Sequence, residues 1–185
     1  FISGTYAPHI ELEATLARFH GREAAMIFSS AYASMLGVFT PLVSEETALV
    51  SDALNHNCII NAIKLARPKE KRVYRHNDVT ELDARLTEVI GAGGCKRALV
   101  VTDGIFSMEG AIAKLPDIAA ICREYGAVLV VDDSHSTGVL GKTGRGTAEH
   151  FGMVGQVDII TSTLGKALGG AAGGFVAGTA EVCDY

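Results

Sequence analysis

The sequence predicts an α/β fold, three layers deep, with helices on both faces of a mostly parallel central sheet. Arg97–Thr102 (RALVVT) and Ala127–Val131 (AVLVV) are continuous β-branched runs of the kind buried on both faces of a parallel sheet. Pro116–Tyr125, between them, has the periodicity of a helix. Short apolar runs keep alternating with helical segments along the rest of the chain, the pattern of a sheet covered on both sides.

The elements follow in order. Ile10, Leu12, Leu16 and Phe19 space a helix over His9–His20, with Gly21 as its stop. Ala24–Phe28 reads as a strand, and Ser29-Ser30-Ala31-Tyr32 opens a helix running through Val38. Free backbone N–H groups at such a helix start suit an anion. Strands are expected at Ala48–Val50 and Arg72–Tyr74, and helices at His56–Leu65 and Glu81–Ile90, the latter capped by Thr80. The Gly-rich stretch Gly165–Gly178 reads as a loop after the apolar strand that precedes it.

With 185 residues, 48% of them hydrophobic, the chain is long enough for one sizeable core, so residues 1–185 are taken as a single domain. A net charge of −5 without a run of Lys or Arg excludes the footprint of a nucleic-acid binder. Cys58, Cys95, Cys122 and Cys183 are scattered, with no CxxC pairing to hold a metal, and read as reduced thiols of a cytoplasmic protein. No basic-then-apolar leader and no membrane-length apolar run is present, so a soluble segment of something longer is expected.

Polar residues gather at the expected strand ends: Ser29-Ser30, Asn55-His56, Asp103 to Ser107, Asp132-Asp133-Ser134-His135 and Thr161 to Lys166. These positions converge on one pocket in a sheet of this class. Asp132 and Asp133 follow directly on a buried run, so a carboxylate there calls for a nearby cation. The plainer reading makes both residues solvated turn or cap positions. His135 is spaced to face the same pocket. Lys166 is the sole charge among Gly165, Gly169 and Gly170, and a lysine desolvated in such company serves as a nucleophilic amine. The glycines alone are equally consistent with close packing or turns, and no GxGxxG or GxxxxGK[ST] pattern supports a dinucleotide or P-loop site. His20 reads as a surface residue, His150 as a helix-face residue and His76 as a turn residue; His9 begins the apolar-faced first helix.

Five strings taken together, SDALNH (Ser51–His56), TDGIFSMEG (Thr102–Gly110), VVDDSHSTGVLG (Val130–Gly141), GRG (Gly144–Gly146) and TSTLGKALGG (Thr161–Gly170), resemble the α-oxoamine synthases. These are pyridoxal-phosphate enzymes of the aspartate-aminotransferase-like fold (fold type I), and the resemblance spans essentially the whole chain. It implies the large, cofactor-binding domain, with pyridoxal 5'-phosphate as cofactor. It also implies condensation of an amino acid, glycine in the first instance, with an acyl-CoA such as acetyl-CoA, with release of coenzyme A.

Carried over position by position, the resemblance makes Lys166 the Schiff-base lysine and Asp132 the partner of the pyridine nitrogen. His135 and Ser107 would hold the phenolic oxygen, His56 would stack on the ring, and the N–H groups of Ala31 and Tyr32 with the Thr163 hydroxyl would bind the phosphate. Met35 and Ala31 depart from the asparagine and cysteine frequent in relatives, which leaves backbone contacts intact. His9 matches a family histidine. The family also implies a homodimer with a shared active site, an N-terminal arm, and a C-terminal domain carrying the arginine for the substrate carboxylate. Transamination or β-elimination on the same lysine and aspartate, and a non-catalytic partner subunit, are the alternatives; the presence of Lys166 speaks against the last.

Overall fold

The computed structural model describes residues 4–92 and 94–185. Seven strands form one sheet: β1 (Ala24–Phe28), β2 (Thr47–Asp52), β3 (Glu70–Tyr74), β4 (Arg97–Asp103), β5 (Val128–Asp132), β6 (Ile159–Thr163) and β7 (Gly174–Gly178). Their order across the sheet is β1-β7-β6-β5-β4-β2-β3. The pairs from β3 across to β6 are all parallel, whereas β7 runs antiparallel to both its neighbours, β6 and β1. The helices are α1 (Ala7–His20), α2 (Ala31–Leu42), α3 (Asn57–Ala66), α4 (Val79–Leu86), α5 (Leu115–Tyr125), α6 (Thr147–His150) and α7 (Ala180–Asp184).

The β-branched runs explain the layering. Along a strand successive side chains leave opposite faces, and both faces are apolar here. Val100, Leu129 and Val131 pack on one side with Leu82 and Leu86 of α4 and Ile118 and Cys122 of α5. Leu99, Val101 and Val130 pack on the other with Met35 and Phe39 of α2 and Ile59 and Ile63 of α3. The four cysteines are unpaired and buried.

Three expectations change. The glycine-rich stretch is not all loop, because Phe175, Val176 and Ala177 form the buried middle of β7. Gly174 opens this strand where the backbone of Ser30 and Ala31 comes so close that a Cβ would overlap it. The glycine therefore belongs to a helix–strand contact, and it seats the start of α2 against the sheet. His20, read as a surface residue, is 2% exposed because the face of α1 that carries it lies on β7. Its ring packs between Phe19 and Phe175 at 5.0 and 5.2 Å. Burial, with the Arg145 charge nearby, lowers its pKa to about 4, which keeps the ring neutral. Finally, α4 is capped by Asp78, which accepts the Glu81 N–H, rather than by Thr80, and it passes into a π-turn over Thr87–Ala92.

Asp133 organises the loop beyond β5. Its carboxylate, 1% exposed, accepts the hydroxyls of Ser136 at 2.8 Å and Thr147 at 2.6 Å and the Thr147 N–H at 2.9 Å. Burial raises its pKa to about 6, and these hydrogen bonds pull in the opposite direction. The solvated-turn reading thus fails for Asp133: it is an internal anchor, and the start of α6 hangs on it. At Gly146 the backbone has φ 91, and a Cβ would fall on the Asp133 carboxylate. Gly146→Ala is expected to cost about 2–3 kcal/mol through strain and overpacking, read from urea denaturation of the full-length protein. Gly152→Ala, at φ 67 with open space around it, is expected to cost less; equal losses would refute the anchoring role.

Candidate active site

The carboxyl ends of the parallel strands deliver Asp52, Asp103, Asp132 and Thr163 to one edge of the sheet, the edge where ligands gather in open α/β folds. Asp52 is committed to the chain itself. It accepts the N–H groups of Leu54 and Asn77 at 2.9 Å each and meets His76 Nδ1 at 3.1 Å. Asp103 and Asp132 are different: they sit opposite each other in the β4–β5 register, each 3% exposed.

Asn55 sets the geometry beside them. Its amide donates to Val101 O at 2.8 Å and Ser51 Oγ at 2.9 Å, and its carbonyl oxygen accepts the Asp103 N–H at 2.8 Å. This holds the next residue, His56, at the N-cap of α3, where its own N–H donates to Asp103 Oδ2 at 2.9 Å. His56 Nδ1 accepts the Cys58 N–H at 3.1 Å, which leaves the ring proton on Nε2. The positive end of α3 thereby faces both carboxylates.

Asp132 Oδ1 accepts the Ser134 N–H at 3.0 Å, and Oδ2 lies 3.7 Å from Cys58 Sγ. Among the described residues no Lys, Arg or His makes an ion pair with Asp103 or Asp132. The cation that the sequence called for is therefore not supplied by this part of the chain. The consequence is visible at Asp103, whose pKa is raised to about 8 by burial first and by the Asp132 charge second, with the His56 N–H and Lys166 acting against both. Asp103 therefore retains a proton that an exposed carboxylate would release.

Lys166 stands in the loop after β6, with Nζ 2.9 Å from His135 Nε2. Partial burial and the Lys166 charge lower the His135 pKa, so its ring is neutral and Nε2 accepts from the ammonium. Lys166 is exposed, which corrects the expectation of a desolvated lysine: β6 ends at Thr163, and the apolar neighbours of Lys166 in sequence do not cover it. Thr163 Oγ1 donates to Gly173 O at 3.1 Å and accepts the Gly165 N–H at 3.2 Å, so it shapes this loop. Across the cleft, Ser30 Oγ accepts the Ala33 N–H at 3.1 Å and caps α2, with Ala31 and Tyr32 at the helix mouth.

Ala31, Tyr32, His56, Asp132, His135 and Lys166 line a single cleft, and Cys58 and Ser134 join them. Thr163 and Ser107 do not line it; Ser107 is exposed in the turn after β4. Cys58 passed for an ordinary apolar thiol, and its place two residues beyond His56 was the only hint of its position. Asp103 was noted as a strand-end residue without a role. The buried Ser134 Oγ has no protein partner among the described residues. An uncompensated carboxylate pair, an orphaned hydroxyl, a neutral histidine on an amine and a helix N-terminus form a donor set that fits a flat, cationic, phosphorylated ring.

The 2-amino-3-ketobutyrate coenzyme A ligase of Escherichia coli K12 is 47% identical over 185 residues, all of this chain and 46% of that protein. The 8-amino-7-oxononanoate synthase of Geobacter sulfurreducens is 49% identical over 183 residues, 99% of this chain and 46% of that one. The chain thus spans less than half the length of these curated relatives. Among solved structures, a serine palmitoyltransferase variant from S. paucimobilis with bound PLP-myriocin aldimine superposes with a TM-score of 0.88 at 35% identity, covering 95% of this chain and 44% of that one. The strand order, the strand-end site and a match of the family described as aminotransferase class I and II to residues 1–185 lead to one conclusion: the chain belongs to that family, with α-oxoamine synthases among its relatives.

Proposed function

We propose that the protein of which this chain is the cofactor-binding domain is a pyridoxal-phosphate-dependent acyltransferase that joins glycine to acetyl-CoA and releases coenzyme A. The observation that carries the reading is the convergence of Lys166, His135 and Asp132 on one cleft, with Asp103 opposite Asp132 and no side-chain cation among the described residues paired with either. The E. coli relative, a 2-amino-3-ketobutyrate coenzyme A ligase, supports the choice of substrates. An 8-amino-7-oxononanoate synthase activity is the second reading, favoured by the G. sulfurreducens relative at 49% identity.

Pyridoxal phosphate, when bound, supplies the electron sink that stabilises negative charge at the substrate Cα. The residues of this chain do the rest. Asp132 would receive the ring N–H and keep it protonated. The N–H groups of Ala31 and Tyr32, backed by the α2 dipole, would hold the phosphate; the Thr163 hydroxyl donates to Gly173 O and lies outside the cleft. His56 would cover the ring face and His135 would hold the phenolic oxygen, whereas Ser107, exposed in the turn after β4, lies outside the cleft. Lys166 Nζ would hold the cofactor and move the proton at the substrate Cα, with the neutral His135 ring 2.9 Å from it.

Lys166 and the apolar side chains of Leu54, Met108, Val139 and Leu168 stand exposed on the loops around this cleft. They fit a site completed by the rest of the chain and a second copy in a homodimer. No helix among the described residues is long and apolar enough to cross a membrane. With its unpaired cysteines, the chain suits a reducing compartment, and we place the protein in the cytoplasm.

Incubation of the full-length protein with pyridoxal phosphate, glycine and acetyl-CoA is expected to release coenzyme A and yield 2-amino-3-oxobutyrate. Turnover only with alanine and a medium-chain acyl thioester bearing a terminal carboxylate would select the second reading, and no thiol release with any pair would overturn both. Lys166→Ala is expected to bind the cofactor without covalent attachment and to lose turnover by at least about a thousandfold; a borohydride-fixed chromophore in that variant would refute its role. Without cofactor, the folded chain keeps a proton at Asp103 that the unfolded chain has released between pH 3.8 and about 8. Stability therefore falls as pH rises through that window. Asp103→Asn is expected to flatten the fall in urea midpoint between the two ends of the window, and an unchanged slope would contradict it.

A further inference from the structure

Cys58 has no place in the scheme above, yet it touches two of its members. It lies in the first turn of α3, 3% exposed, with its side chain at the floor of the cleft. Sγ is 3.0 Å from His56 Nδ1 and 3.7 Å from Asp132 Oδ2. Nδ1 has one in-plane lone pair, and the Cys58 backbone N–H already occupies it at 3.1 Å. The thiol proton is therefore left for Asp132. Burial first, then the Asp132 and Asp103 charges, push the thiol well above its usual range, so the S–H persists as a donor at any working pH.

Asp132 is thus gripped at both oxygens, by the Ser134 N–H on Oδ1 and by the Cys58 thiol on Oδ2. Among the described residues, Oδ2 has no other hydrogen-bond partner. We infer that Cys58 is a positioning residue: its S–H fixes the Asp132 carboxylate to receive a cationic N–H, and its backbone N–H sets the His56 ring against the same group. The inference rests on the pyridoxal-phosphate reading and adds to it the element that ties α3 to β5. Asp103, on the neighbouring strand end, grips α3 through the His56 N–H, so strands β4 and β5 each hold the helix start by one contact.

The test compares Cys58→Ser, Cys58→Val and Cys58→Ala in the full-length protein by titration with pyridoxal phosphate, alongside the thermal stability of each protein without cofactor. Serine keeps a donor, whereas valine fills the buried volume without one. Serine is expected to stay within about twofold of the wild-type affinity, and valine and alanine to fall roughly fivefold or more, the scale of one hydrogen bond. The pH profile of cofactor affinity is expected to move in valine and alanine only. Valine binding like wild type, or serine and valine weakening together in step with lost stability, would overturn the positioning role and leave packing. If wild type itself binds no pyridoxal phosphate, the functional reading fails, a result seen before any variant is compared.

Discussion

Burying Asp103 and Asp132 on neighbouring strand ends is expensive, because desolvation and mutual repulsion both oppose ionisation of the pair. The surroundings offset that cost only in part. The N-terminus of α3, the Ser134 N–H and the Cys58 thiol all point donors at the two groups, and no side-chain cation among the described residues pairs with either. A site kept in this state is preorganised for a cationic ligand group: the penalty is met in folding, and a ring N–H that arrives later meets acceptors already in place. The proton retained by Asp103 and the orphaned Ser134 hydroxyl belong to the same incomplete arrangement.

The fold supplies this arrangement through close approaches as much as through strand order. Gly174 lets the start of α2 lie on β7, which brings the helix mouth at Ala31 and Tyr32 to the cleft. Asn55 ties the end of β2 to β4 and so fixes where His56 begins α3. Asp133, directly after Asp132, turns its carboxylate away from the cleft and anchors the following loop internally. Two adjacent aspartates thus take opposite duties, one holding the backbone and the other facing the ligand.

The central sheet was legible because β4 and β5 are valine-rich apolar runs of the kind that parallel strands covered on both faces carry. Lys166, Asp132, His135 and His56 were legible from motifs, and the structure brings them to one cleft. Strand β7 was not, since glycines mask a strand in sequence, although their close-packing reading holds at Gly174. The burial of His20 was lost with β7, because the surface that covers it lies far along the chain. Cys58 and Ser134 escaped for a similar reason: their roles depend on which groups they face across elements, and local pattern carries no record of that. The exposure of Lys166 could not be read from apolar neighbours that flank it in sequence without covering it.

The most direct test of the account is the protonation state of the cofactor's ring nitrogen, followed by NMR with isotope-labelled pyridoxal phosphate bound to the full-length protein. The buried carboxylates require a cation there, so the nitrogen is predicted to stay protonated well above neutral pH and to lose that proton in Asp132→Asn. A ring nitrogen already deprotonated near neutrality, or one unaffected by Asp132→Asn, would contradict the claim that this carboxylate pair is what the site is built to satisfy.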